Sequence, residues 1–277
     1  MKKNLVTTDF SDKSKAGLLL AIQLAAQKKF DLTFFHVYHI ITPTGWNFVR
    51  KENYEKEQIK IIQDKLNVFV EGVYKSLILT KSNKKFVIKS GVFPQSSIMK
   101  YAAKNKFDFI CISARGAGKL ERIHGTNTAN LINHSDVSVI AIPYNYKTSK
   151  IASILYASDL TNLEKELKNL VAFAKPLKAT IELLHFASPL ETIIDPKVMG
   201  IAIKKLSKFD IKLNIKSMDF VKSIVANIET AVKKTKPSLM IMFTEQNRTL
   251  FQKLFLSSKS AEYSFNAKVP LLVFNKS

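Results

Sequence analysis

Two matching stretches of sequence decide the fold of this chain. Asn4–Ser11 reads NLVTTDFS, and Ile154–Thr161 reads ILYASDLT. Each is an extended apolar segment that runs into a small polar residue, an aspartate, a hydrophobic residue and a hydroxyl. This pattern predicts a buried strand and a turn, with the hydroxyl as a candidate N-cap of the next helix. The recurrence predicts that one structural unit occurs twice.

The remaining apolar segments recur in the same order. Between them lie segments with apolar residues at helical spacing, which predict four helices per copy. We therefore predict an α/β fold of two tandem doubly wound domains, each a five-stranded parallel sheet flanked by helices. The predicted strands after the first pair are 32–37 and 181–186, 86–88 and 211–215, 109–112 and 239–242, and 137–142 and 269–274.

We predict domain bounds of 1–146 and 151–277. The stretch 144–150 between them is short and polar, so the two domains are expected to pack together. If their last strands close against one another, the chain forms an intramolecular pseudo-dimer. A homo-oligomer and an unidentified protein partner stay open.

Composition limits the class of protein. The chain has 277 residues, of which 46% are hydrophobic, and this is enough for two small domains. No run approaches 18 apolar residues, so no membrane span is expected. The first residues predict a strand rather than a signal peptide. The single cysteine, Cys111, lies in an apolar run, which favours a buried thiol and a cytoplasmic location.

The formal net charge of +21 calls for an explanation. Only Arg50, Arg115, Arg122 and Arg248 are arginines, and the lysines are spread through nearly every predicted helix. Nucleic-acid-binding proteins favour arginine for base recognition and concentrate charge on one face. We therefore interpret the lysines as solvated helix faces, and a nucleic acid is not the expected partner.

The loop after the fourth strand of the first copy is the candidate ligand site. Ser113–Lys119 reads SARGAGK and continues to Gly125 and Thr126, and three of the eight glycines of the chain lie between positions 116 and 125. Glycine-rich loops let phosphate approach backbone N–H groups. A Walker A loop is excluded because Ser113 and Leu120 occupy two of its required positions, and Glu121 excludes a dinucleotide fingerprint.

With these segments the chain resembles the universal stress protein family, as a tandem two-domain member with an adenine nucleotide alpha hydrolase-like fold. The resemblance rests on Thr8–Ser11, on Phe35–Val37, on the loop after the fourth strand, and on the last strand, Val137–Pro143. ATP-binding members carry the loop G-x2-G-x9-G-[S/T]. Here Ser113 replaces the first glycine, and the spacing from Gly116 to Gly125 is one residue short.

The resemblance implies a set of ligand residues. Thr8, Asp9 and the backbone at Val37 would face adenine and ribose, and Ser113, Gly116, Gly125 and Thr126 would face the phosphates, with Arg115 adding charge. The second copy has Thr244 and Asn247 where glycines would stand. ATP or another adenine nucleotide is therefore expected in domain 1 only.

The expected function is that of a cytoplasmic stress-response binding module. Two alternatives stay open, namely an interaction module without a nucleotide and a weak ATPase that uses Asp9. No catalytic residue and no metal ligand set is predicted. His36 and His185 recur at equivalent strand ends and are interpreted as structural. Trp46 packs under the long helix, covers a ligand or contacts a partner.

Overall fold

The computed structural model describes most of the chain. The described residues are 2–28, 30–77, 84–114, 127–160, 162–187, 195–217, 219, 224–243 and 269–274. Residues 115–126, which hold the predicted phosphate loop, and residues 244–268, which hold the fourth helix predicted for the second copy, lie outside this set.

The first half alternates strands and helices. Buried apolar runs such as Leu5–Thr7 form its strands, and a proline opens one of its helices, a position where no backbone N–H is required. In chain order its elements are β1 (Lys2–Thr7), a 3₁₀ turn (Asp12–Ser14), α1 (Lys15–Gln27), β2 (Phe30–Tyr38), α2 (Phe48–Leu77), β3 (Lys84–Ser90), α3 (Pro94–Lys104), β4 (Phe109–Ala114), α4 (Asn127–His134) and β5 (Ser138–Pro143).

The second half repeats this order over its described residues. Its elements are β6 (Ser153–Ala157), α5 (Leu163–Leu177), β7 (Thr180–Ala187), α6 (Pro196–Ser207), β8 (Ile211–Ser217), α7 (Ile224–Thr235), β9 (Leu239–Phe243) and β10 (Leu271–Phe274). Each strand predicted from the sequence is present, with ends that shift by at most two residues.

The described strands form one ten-stranded sheet in the order β3-β2-β1-β4-β5-β10-β9-β6-β7-β8. Within each half the neighbouring strands run parallel, and β10 pairs antiparallel with β5, Leu272 opposite Ile140. Helices α1 and α2 pack into the core on one face, and α3 and α4 pack on the other. The predicted fold class of two doubly wound five-stranded units is confirmed.

The strand order places a switch point in each half. In the first half the chain moves outward from β1 through β2 to β3, and then crosses to β4 on the other side of β1. The connections that contain α1 and α2 therefore cover one face of the sheet, and those that contain α3 and α4 cover the other. In doubly wound sheets such a switch point marks the crevice where ligands bind, which places it here beyond the carboxyl ends of β1 and β4.

The two halves share one core across the β5–β10 junction. The ring of Phe109 in β4 lies 5.6 Å from that of Phe173 in α5 and 6.2 Å from that of Phe274 in β10 (centroid distances). Gln27 at the end of α1 also receives the N–H of Ile151 at 2.8 Å. These contacts join residues far apart in sequence, so the halves are packed against each other rather than linked loosely.

Helix α2 is much longer than its counterpart α6. Of its 30 residues, Leu66, Val70, Val73 and Tyr74 are buried, and all four lie in its last dozen. At 1.5 Å rise per residue, the part that precedes Leu66 extends roughly 25 Å beyond its buried segment. The length that the apolar spacing predicted is thus present, but only its carboxyl-terminal part belongs to the core.

The outer strands β3 and β8 carry lysines. Lys85 and Lys89 are exposed on β3, and Lys212 is exposed on β8. Charged side chains on an edge strand discourage another chain from pairing with it. The composition of these two strands therefore protects the free edges of the sheet.

Candidate functional site

The turn after β1 lies at the predicted crevice. The N–H of Thr8 donates to the carbonyl of Phe35 at 3.1 Å, which holds the end of β1 against β2. Phe10 has φ of 65°, and its N–H donates to the hydroxyl oxygen of Thr8 at 3.0 Å. Left-handed backbone is unusual for an aromatic residue. The turn is held in place by these hydrogen bonds and directs Asp9 outward.

Asp9 presents an exposed carboxylate at this turn. Its Oδ1 accepts the N–H of Ser11 at 3.0 Å and the hydroxyl of Ser11 at 2.6 Å. The hydroxyl oxygen of Ser11 in turn accepts the N–H of Ser14 at 3.2 Å. Ser11 therefore caps the 3₁₀ turn rather than α1 itself, and Asp9 orients that cap.

Ser113, at the end of β4, joins the opposite side of the crevice to α1. Its hydroxyl oxygen accepts the N–H of Gly17 at 2.7 Å, and its hydroxyl donates to the carbonyl of Ser14 at 3.0 Å. A Cβ on Gly17 would lie 3.1 Å from that oxygen. Ser14 at the helix N-cap makes no side-chain capping bond, so Ser113 supplies the cap from another strand.

The first turn of α4 lies beside the same strand end. Thr128 donates its hydroxyl to the carbonyl of Ser113 at 3.4 Å, and its side chain is buried. The amino end of α4 and the amino end of α1 therefore both meet the end of β4. Helix amino termini favour anions because their first N–H groups lack intrahelical partners.

Val37, the predicted backbone contact, lies in β2, next to the point where Gly91 comes close to α3. The N–H of Gly91 donates to the carbonyl of Tyr38 at 2.9 Å. A Cβ on Gly91 would overlap the hydroxyl oxygen of Ser97 and would lie 3.3 Å from Cγ1 of Val37. A side chain at position 91 would therefore require the Ser97 hydroxyl to move, so α3 lies close to the backbone that follows β3.

The rings of Phe10 and His36 lie against each other beside the turn. Their centroids lie 4.1 Å apart, and Nζ of Lys65 in α2 lies 4.9 Å from the centroid of Phe10. His36 Nδ1 lies 2.8 Å from the carbonyl oxygen of Thr8, so Nδ1 carries a proton. Burial lowers the pKa of His36, although the Thr8 carbonyl and Asp9 oppose that shift. The ring is therefore neutral at pH 7 and supports the turn.

The second half repeats this turn closely. Leu160 has φ of 68°, and its N–H donates to the hydroxyl of Ser158 at 3.0 Å. His185 Nδ1 lies 3.0 Å from the carbonyl oxygen of Ser158, as His36 does from that of Thr8. The interpretation of both histidines as structural matches these contacts.

The second half differs at the amino end of the helix that follows the turn, where it carries a buried glutamate. Tyr156 donates its hydroxyl to the carboxylate of Glu166, which lies in the first turn of α5 and is 1% exposed. Counted from the two aspartates, Glu166 takes the position of Ala16 in the first half. Burial and the Glu166 carboxylate raise the pKa of Tyr156 above its usual range. A carboxylate therefore already occupies the amino end of this helix.

The sequence predicted part of this arrangement. Thr8, Asp9, Val37 and Ser113 lie around the carboxyl ends of β1, β2 and β4, whereas Arg115, Gly116, Gly125 and Thr126 lie outside the described residues. Sequence reasoning missed Gly17 and Gly91. The scarcity of glycine in the chain was a signal, because only eight are present, but Gly17 approaches Ser113 and Gly91 approaches Val37, both of which are distant in sequence.

The other candidates have ordinary surroundings. Burial raises the pKa of the Cys111 thiol to about 12, so the thiol stays protonated. Trp46 packs edge-on against Tyr54 at 5.2 Å, and the guanidinium of Arg50 lies 4.4 Å from its ring centroid. In the described part of the chain, no cluster of three or more His, Cys, Asp or Glu side chains could hold a metal ion, and no helix has the length and apolarity to cross a membrane.

Comparison with known proteins decides the family. The sequence model of the universal stress protein family matches residues 1–143, which is more than half of the chain. The chain belongs to the universal stress protein family. No curated protein shows significant sequence similarity to it.

Two solved structures with TM-scores above 0.5 agree with this assignment at the level of the fold. A universal stress protein from Archaeoglobus fulgidus is 17% identical with a TM-score of 0.70, over 99% of this chain and 96% of that one. A putative member from Pseudomonas aeruginosa is 12% identical with a TM-score of 0.52, over 99% and 93%. A universal stress protein from Arabidopsis thaliana, solved with AMP bound, is 19% identical with a TM-score of 0.34, over 52% and 93%.

Proposed function

We propose that the first half binds an adenine nucleotide, such as ATP, and that the chain acts as a nucleotide-responsive stress module in the cytoplasm. The observation that carries this proposal is the crevice at the switch point between β1 and β4. The exposed carboxylate of Asp9 lies on one side of it, and the amino ends of α1 and α4 meet Ser113 on the other. Doubly wound sheets bind nucleotides at such switch points.

The phosphate end of the ligand is proposed to lie toward α4. Loop 115–126 connects Ala114 at the end of β4 with Asn127 at the start of α4. Gly116, Gly125 and Thr126 of this loop are the proposed phosphate contacts, and Arg115 adds a positive charge. The hydroxyl of Ser113 already bonds Gly17 and Ser14, so we assign Ser113 a positioning role rather than a ligand contact.

The sugar and base are proposed to lie toward β2. Carboxylates accept hydrogen bonds from ribose hydroxyls in many dinucleotide sites, and Asp9 is the exposed acid at the end of β1. Thr8 fixes the turn that carries Asp9. The backbone at Val37 lies next in the sheet, where β2 ends beside Gly91.

The second half is proposed to bind no nucleotide. Glu166 places a carboxylate in the first turn of α5, where the first half has Ala16, and this disfavours a phosphate near that helix end. Its role would instead be that of a fused dimer partner. The antiparallel pairing of β5 with β10 supports this role, because it joins the halves edge to edge.

Matched variants of the two equivalent aspartates test the proposal. Asp9→Ala should abolish the thermal shift that millimolar ATP produces in the purified protein, whereas Asp159→Ala should retain it. Mass spectrometry of the protein as isolated should detect a co-purified adenine nucleotide in the wild type. The proposal is wrong if no nucleotide co-purifies and ATP produces no shift, and the assignment to the first half is wrong if Asp159→Ala is the variant that loses the shift.

A further inference from the structure

Four lysines end helices in a conformation that normally belongs to glycine. Lys106, Lys178, Lys208 and Lys236 have φ of 53°, 54°, 49° and 47°. They follow α3, α5, α6 and α7, and they are all exposed. Glycine occupies this left-handed position at little cost, whereas a side chain is strained there. A lysine at each of these positions therefore costs stability that glycine would not.

Three of these lysines lie at the amino ends of strands in the second half of the sheet. Lys236, Lys178 and Lys208 precede β9, β7 and β8 by two to three residues, and Lys150 similarly precedes β6. The sheet order is β9-β6-β7-β8. With strands about 4.8 Å apart, the row Lys236–Lys150–Lys178–Lys208 spans roughly 15 Å. We call these four residues the lysine row.

Backbone contacts fix this alignment. The N–H of Thr180 donates to the carbonyl of Ala152 at 2.9 Å, which joins the starts of β6 and β7. The N–H of Ser238 donates to the carbonyl of Ser153 at 3.0 Å, which joins the starts of β6 and β9. Ile211 is in register with Ile181 across β7 and β8. The lysine row therefore follows directly from the pairing of the strands.

Compensation of the helix dipoles does not account for the row. A cation near a helix carboxyl end is favourable, but the last turns already carry Lys175 in α5, Lys204 and Lys205 in α6, and Lys233 and Lys234 in α7. No ion pair of the lysine row occurs within the described residues. Asp210 is the acidic residue in the connections that carry the row.

The spread of lysines along the sequence argues against a nucleic acid as partner, but the strand order brings four of them together. We propose that the lysine row binds the phosphate backbone of a nucleic acid without reading its sequence. Lysine is a point charge that contacts phosphate, whereas base recognition relies on planar donors such as arginine. The connections that carry the row hold no arginine, and their exposed aromatic residue, Tyr144, lies six residues before Lys150. Leu206 is the exposed large hydrophobic residue nearest to Lys208, and this is little apolar surface for insertion into a lipid bilayer.

Lysine-to-glycine variants separate binding from folding. The triple variant Lys178→Gly, Lys208→Gly and Lys236→Gly removes three charges and the backbone strain together. It should therefore bind a labelled 20-base-pair DNA duplex at least 10-fold more weakly while its thermal midpoint stays the same or rises. The matched control, Lys56→Ala, Lys60→Ala and Lys75→Ala, removes three exposed charges from α2 and should lose less than 3-fold.

Salt dependence tests the phosphate contacts directly. Four contacts give a slope of about −3.6 in log affinity against log salt, which is roughly a 150-fold loss between 50 and 200 mM. The triple glycine variant should reduce the slope to about −1. Equal losses in the control variant, or an affinity that does not depend on salt, would overturn the proposal. Tighter binding to vesicles with anionic lipids than to the duplex would overturn it too, in favour of a membrane surface.

Discussion

Ser113 links two elements through a single hydroxyl. It bonds the N–H of Gly17 and the carbonyl of Ser14, so that a residue of β4 caps α1 from 96 positions away. Both partners are backbone groups at a helix end, where unpaired polar groups are costly. The residue that replaces a family glycine thus stabilises the fold at the edge of the proposed site.

Ser113→Ala should lower the free energy of unfolding by about 1–2 kcal/mol, the usual cost of a lost helix cap with part-buried partners. Urea denaturation followed by circular dichroism measures this change. Ser90→Ala on the exposed edge strand β3 is the control and should change stability by less than about 0.5 kcal/mol. Equal effects of the two substitutions would show that the Ser113 bonds add nothing to stability.

His36 makes stability depend on pH. Its pKa in the folded protein is below the ordinary value of 6.5 because of burial, so below pH 6.5 the unfolded chain binds more protons than the folded one. Stability should therefore be constant above pH 6.5 and fall as the pH drops from 6.5 to the lowered pKa, by at most about 1.4 kcal/mol per pH unit.

Unfolding free energies measured from pH 5 to pH 8 test this expectation. In His36→Asn an amide N–H can still reach the Thr8 carbonyl but does not titrate, so this part of the slope should disappear. His39→Asn replaces a histidine that is exposed and should leave the slope as it is. A slope that persists in His36→Asn would assign the pH dependence to another group.

At the scale of elements, α2 combines a buried end with an exposed one. Leu66 is fully buried, whereas Ile59, seven residues earlier on the same side of the helix, is 37% exposed. Both residues belong to the same apolar pattern in the sequence. The difference arises because the sheet supports only the carboxyl-terminal part of the helix.

Leu66→Ala should cost about 2–5 kcal/mol, because it leaves a cavity in the core. Ile61→Ala on the same helix, where the side chain is 50% exposed, should change stability by less than about 0.5 kcal/mol, since alanine favours the helix and little apolar surface is lost. Guanidinium denaturation of the two variants compares these effects directly. A large loss from Ile61→Ala would mean that the first part of α2 packs against something in solution.

At the scale of the whole molecule, the aromatic cluster of Phe109, Phe173 and Phe274 joins the two halves. The protein has a single tryptophan, Trp46, which lies in the first half. Its fluorescence therefore reports the unfolding of the first half. Phe173 belongs to the second half, so a substitution there tests the coupling between them.

Phe173→Ala should destabilise the protein by about 3–5 kcal/mol and should shift the Trp46 transition by as much as the transition seen by circular dichroism. Coincident transitions indicate one cooperative unit. If the Trp46 transition stays in place while circular dichroism shows an earlier one, the halves unfold independently. Tyr144→Ala, on the exposed part of the connection between the halves, is the control.

The sequence predicted the strands, the order of elements and the fold class of both halves. It succeeded because buried strands and helices have local periodicities that a single stretch of sequence displays. The aspartate turn was recognisable for the same reason, since Asn4–Ser11 and Ile154–Thr161 share one pattern. The domain bounds of 1–146 and 151–277 and the homo-oligomer stay predictions, as do the contacts of the loop residues.

The sequence by itself determined that one α/β unit occurs twice and that the first copy alone keeps glycines in its loop. Only the tertiary structure decided that Ser113 caps α1, that β10 pairs with β5, and that lysines spread along the chain form a row beside β6–β9. The physical reason is the range of the interactions. Strand and helix patterns depend on neighbours in sequence, whereas these contacts depend on which elements the packed core brings together.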